Sequence, residues 1–130
     1  MVTAFVTILV VAILFVIGLV LDGGYVLAAK REANNVAEQA ARAGAQEVSE
    51  DVLRRDDRVE LEDGAAVAAA EAFVRRTGHR GTAEVVDGRV VVEVEIDRSL
   101  LILGAAGLAD VVVTGHGSAR PVVGVDAPEN

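Results

Sequence analysis

Two histidines, His79 and His116, and two strand carboxylates, Glu93 and Glu95, are the first side chains to test for chemistry. The histidines lack the spacing of metal ligands, and there is no Cys to complete a thiolate site. His79 follows a helix end, where an imidazolium complements the dipole, and His116 sits in a strand between two glycines. Both read as surface residues. The run Gly115-His116-Gly117-Ser118 is no nucleophile elbow, which needs a G-x-S-x-G order on a strand-to-helix turn. Glu93 and Glu95 share one strand face and read as solvating groups without partners. No catalytic residue, metal or cofactor is expected. A net charge of −8 argues against a nucleic-acid partner, because phosphate contact requires a basic face.

With catalysis set aside, the elements themselves carry the information. Val2 to Leu21 form twenty consecutive residues with no charge, Pro, Asn or Gln. As a helix, roughly 20 residues at about 1.5 Å each span the 30 Å of a bilayer core. A cleaved secretory signal fits less well. It would carry a basic leader, a shorter apolar run and a small-residue cleavage site. Here no Lys or Arg precedes Lys30, and the run ends in Leu21-Asp22-Gly23-Gly24. The missing basic flank predicts that Met1 is a processed or truncated start, since positive charge normally fixes the inner end of such a segment.

Asp22, Gly23 and Gly24 mark the boundary of the span and a potential kink. Helical spacing then resumes, through Val26, Ala29, Ala33, Val36, Ala37, Ala40, Ala41, Gly44, Ala45, Val48 and Val52. Lys30, Arg31, Glu38, Arg42 and Glu47 fall on the opposite face. The stripe Ala33, Ala37, Ala40, Ala41, Gly44 and Ala45 is so small that another backbone can approach closely. It fits a partner helix and the chain's own domain equally well. The expectation is one helix of about 50 residues, half in the membrane and half outside it.

The dense charge from Glu47 to Asp63 reads as a solvated helix end and connection. Asp63 is positioned to cap a second helix over 63–77, with Gly78 beyond its end. Its expected apolar face is Ala65, Ala68, Ala69, Ala72 and Phe73. After Gly81 the period changes to alternation. Strands over 82–86 and 89–97 flank Asp87-Gly88, a strong hairpin signal, and Val90, Val92, Val94 and Ile96 share the inner face. A third strand is expected over 110–119. The apolar run Ser99 to Leu108 between them is too short and Gly-broken to span a membrane. It is left to cover the sheet edge, rest on a membrane surface or touch a neighbour. Pro121 ends regular pairing, and 121–130 read as a tail. Aromatics are only 3% of the chain, so the core must be built from small side chains and bury little area per residue.

The stretch Asp22-Gly23-Gly24-Tyr25-Val26-Leu27-Ala28-Ala29-Lys30-Arg31, continued by Ala33-Asn34-Asn35-Val36-Ala37 and Ala40-Ala41-Arg42-Ala43-Gly44-Ala45, resembles the TadE/TadG-like proteins of tight-adherence pilus systems. The Leu-Leu-Ile-Leu-Gly run and the Val111-Val112-Val113-Thr114 strand are similar to that family's closing pattern. The resemblance implies an α+β, type IV pilin-like fold: a long N-terminal hydrophobic helix and a small antiparallel sheet head with a second helix. It divides the chain into a membrane or filament-core helix over 1–22, its continuation over 23–55, a head over 56–120 and the tail. It implies a structural subunit of a type IV-related filament, common in actinobacteria and serving adhesion or secretion. Val6, Leu9, Ile13, Val16 and Val20 would then contact lipid before assembly and other copies or other pilus components afterwards. The chain would sit as a single pass in the cytoplasmic membrane with its head outside, or in an extracellular filament. The alternative is a membrane-anchored assembly factor that never enters the filament. One departure bears on this choice. Proteins of this kind usually carry Glu at the fifth mature position, and counting from Met1 that position is Phe5.

Overall fold

A computed structural model of the chain describes residues 1–47, 62–105, 107 and 110–121. The first element, α1, is a single helix over Val2–Ala45 and 44 residues long, about 66 Å at the α-helical rise. It runs unbroken through Asp22-Gly23-Gly24, so these residues do not interrupt the helix. Its first half is mostly aliphatic, and Ala, the best helix former, is the commonest residue of the second. Val48, Val52 and most of the charged connection lie outside the described residues.

The second helix, α2, spans Asp63–Arg76. Its N-cap is Glu62, and no side chain caps the helix, so Asp63 lies in the first turn and favours the positive dipole end from there. The fully buried residues of α2 are Ala66, Ala70 and Val74; of the expected face, Phe73 packs partly buried against the core, Ala65, Ala69 and Ala72 are half-buried, and Ala68 is exposed. The reason is physical: α2 carries Ala on most of its circumference, so no hydrophobic contrast marks one side. Ala66 and Ala70 meet α1 at Gly44, and Val74 meets β1 at Gly81.

Strand β1 (Arg80–Val86) and strand β2 (Arg89–Arg98) form the hairpin. Asp87 and Gly88 both have positive φ, at 51° and 67°, as a type I′ turn requires. A short helical turn, α3 (Ile102–Ala105), leads into strand β3 (Val111–Ala119). The antiparallel sheet has the order β1-β2-β3. Its inner face, led by Val90, Val92, Val94 and Ile96, lies on the second half of α1 and on α2. The result is the expected α+β arrangement, consistent with a pilin-like fold.

The outer face of the sheet is polar. Glu93 and Glu95 are not without partners there: Glu93 Oε2 lies 3.4 Å from His116 Nδ1, and Glu95 Oε2 lies 3.6 Å from Arg80, which also bonds Asp97 at 3.0 Å. These cross-strand pairs follow the register, which places Arg80 opposite Glu95 and Glu93 opposite His116. Exposed as they are, they contribute at most about 1 kcal/mol each.

Candidate functional site

Eight of the fourteen buried apolar residues of the described core are Ala, and six of those belong to α1. Such a core closes only if backbones come almost into contact. Two glycines allow it. A Cβ on Gly115 would fall within 2.5 Å of Ala33 Cβ and Asn34 N, and one on Gly117 would meet the backbone of Ala37 and Glu38. Strand β3 therefore lies directly on the helix, which accounts for the Gly115-His116-Gly117 spacing. At the other end of the stripe, a Cβ on Gly44 would sit 2.6 Å from the Ala66 carbonyl of α2 and 3.2 Å from Ala70 Cβ. Ala33, Ala37, Ala40 and Ala41 are fully buried, and Gly44 and Ala45 are buried with them. All six stripe residues are covered by the chain's own head.

The helix also closes the edge of the sheet. Lys30 Nζ donates to the Thr114 carbonyl, and the His116 N–H donates to Asn34 Oδ1 at 3.2 Å. Lys30 is thus half-buried against β3 instead of on a solvated face. An edge strand left with free N–H and C=O groups would invite pairing with another chain, and here two side chains of α1 occupy one of each at its centre. Glu32 adds a link by accepting from Arg98 at 2.6 Å and meeting His79 Nε2 at 3.2 Å.

Below this docked half lies the most unusual group of the molecule. Asp22 is 1% exposed and, among the described residues, the one charged side chain that is buried. Its carboxylate accepts three backbone N–H groups: Leu101 at 3.1 Å on Oδ1, Ile102 at 3.1 Å on Oδ2 and Leu103 at 2.8 Å on Oδ2. These are orphan donors at the start of α3, which Asp22 satisfies from a different helix. The same turn is seated by Gly18, where a Cβ would meet Ile102 Cγ2 and Cβ. Asp22 therefore joins the Leu101–Leu103 turn to the long helix. Its neighbours Gly23 and Gly24 have open space where a Cβ would be.

Beyond this joint α1 is bare. Val6, Leu9, Ile13, Val16 and Val20 are all exposed, and among residues 2–21 only Gly18 is buried. The helix is long and apolar enough to cross a membrane, yet the apolar window is only 6% buried within the protein. That separates it from the core helix of a water-soluble domain, which would be covered by its own chain.

Residues 1–47 match the family of putative Flp pilus-assembly TadE/G-like proteins. No curated protein and no solved structure matches the chain. The TadE/G-like segment covers all of α1: the bare span, the Asp22 joint and the buried stripe. Among the described residues no three His, Asp or Glu side chains gather as a metal site. His79 and His116 each face a single carboxylate. The part of Asp22, Gly115 and Gly117 was hidden from the sequence, although a charged residue at the foot of an apolar run and a G-x-G in a strand were visible signals.

A span of this kind makes a direct prediction. Leu14→Asp puts a charge near its centre, at a cost of roughly 2.5–3.5 kcal/mol on insertion scales. The variant should be lost from the membrane fraction, and full retention in washed membranes would contradict a spanning role.

Proposed function

We propose that the chain is a structural, pilin-like subunit of a tight-adherence pilus, assembled through residues 2–21. The observation that carries this reading is the asymmetry of α1. Its second half is consumed as the spine of the head, whereas its first half exposes apolar side chains on nearly every side. Such a surface is satisfied equally by lipid and by a bundle of like helices. The TadE/G-like match over 1–47 supports a role in the pilus machinery. In this reading 1–22 form the membrane or filament core, 23–45 continue the helix as the spine of the head, and the remainder presents an acidic surface. The small-residue stripe, covered within the chain, leaves 2–21 as the surface for other copies.

A second reading, a single-pass assembly factor that stays in the membrane, rests on the same bare half of α1, which lipid alone can satisfy. Crosslinking separates the two. The chain has no native Cys, so Cys residues introduced at Val6 and Val16 are the only reactive thiols. A subunit should yield Val6–Val16 crosslinks between copies in purified extracellular filaments. Pili that assemble free of the chain, with crosslinks confined to detergent-extracted membranes, would establish the assembly factor instead.

A further inference from the structure

We infer that the Leu101–Ile102–Leu103 turn is a lipid-inserting foot, entering the leaflet nearest the head beside α1 and seating the head on the bilayer. The inference rests on residues 2–21 spanning a membrane, and it holds for subunit and assembly factor alike.

Depth is the first argument. Ile102 packs against Gly18, which lies inside the apolar run, four residues and about 6 Å before Asp22. The turn therefore overlaps the end of the span and does not stop at its boundary. Backbone chemistry is the second. An irregular segment is tolerated at that depth only if its N–H groups have partners, since lipid offers none. The N–H groups of Leu101, Ile102 and Leu103 all end on Asp22, and the carboxylate is itself hidden from water. In a water-facing turn these donors would be satisfied by solvent, and no buried carboxylate would be needed. The third is continuity of surface. Leu101 is 67% exposed and Ile102 37%, at the level where α1 exposes Leu19 and Leu21. Apolar side chains thus face outward where three successive backbone N–H groups have been made independent of water. The nearest preceding cation, Arg98, is held by Glu32, ten residues further along α1 from Asp22 and away from the span.

The chain contains no Trp, so a single introduced Trp reports its own surroundings. Three full-length variants, Leu101→Trp, Thr82→Trp on the outer sheet face and Val11→Trp in the span, are reconstituted into vesicles of phosphatidylcholine and phosphatidylglycerol. Phosphatidylcholine brominated at defined acyl positions serves as the quencher. The expected result is a blue-shifted Leu101→Trp emission that is lost to bromine near the headgroup end of the acyl chain. Thr82→Trp should keep its emission, and Val11→Trp should lose it to bromine near the chain ends. Leu101 is well exposed, so the larger side chain fits without repacking. If Leu101→Trp escapes quenching as Thr82→Trp does while Val11→Trp is quenched, the foot is overturned and the span stands. A blue shift that bromine does not quench and that disappears as protein is diluted in lipid would overturn it in favour of a second copy as the occupant. If Val11→Trp also escapes quenching, the span fails and the foot with it.

Discussion

Asp22→Ala is expected to release the Leu101–Leu103 turn from α1 while the sheet and α2 stay folded. Three backbone N–H groups lose a buried charged acceptor together. Each orphaned donor costs about 1–3 kcal/mol, and re-entry of water reduces the sum, so a local loss of roughly 3–4 kcal/mol is expected. The turn is joined to the rest chiefly through Asp22 and Gly18, so the loss is local opening and not global melting. Amide hydrogen exchange of the full chain in detergent micelles should show Leu101, Ile102 and Leu103 exchanging at least about 100-fold faster, since 1.4 kcal/mol is tenfold. The amides of Val92 and Val94 should be unchanged. Asp22→Asn keeps one acceptor oxygen but turns a donor toward the same N–H groups, so it should fall between wild type and Asp22→Ala. Unchanged exchange at the three amides in Asp22→Ala would remove the carboxylate as the anchor of the turn.

Gly115→Ala is expected to strike the head itself. A single methyl there would meet Ala33 Cβ and the backbone nitrogen of Asn34 at 2.5 Å, and a helix backbone cannot step aside as a flexible side chain can. Overpacking of this kind costs about 1–3 kcal/mol, and the backbone contact places this site at the upper end. The displaced strand would also pull Thr114 and His116 away from Lys30 and Asn34. For a head of this size about 3 kcal/mol corresponds to a fall in Tm of roughly 12–24 °C. Gly23→Ala is the matched control, because the space around it is open and Ala is the better helix former by about 1 kcal/mol. It should leave the head at or slightly above its original Tm. A Gly115→Ala head that melts with wild type would mean that β3 does not rest on the helix backbone.

Several features needed no tertiary information, because a local rule is enough to produce them. Twenty uncharged residues in a row are long and apolar enough to cross a membrane as a helix, whatever the head does. The alternation of Val90, Val92, Val94 and Ile96 divides β2 into two faces by the geometry of a strand. Asp87-Gly88 tolerates the two positive φ values that a two-residue hairpin demands. These local signals agree with one another and yield the α+β class.

What only the tertiary structure decided depends on partners far away in the chain. The acceptors of Asp22 serve donors about eighty residues later, and no spacing rule links a carboxylate to those amides. Ala-rich α2 offers six near-equivalent Ala positions, so its inner face was set by what it meets: Gly44 of α1 and the sheet. Lys30 reads as a solvated cation until β3 lays an unpaired carbonyl beside it. The stripe of α1 fits another helix and its own sheet equally until Gly115 and Gly117 remove the two Cβ atoms that would hold the strand away. The sequence by itself thus determined a long apolar helix with a small α+β head. How the head grips that helix was decided by close approach between backbones, because small side chains carry almost no signal of their own until their neighbours are in place.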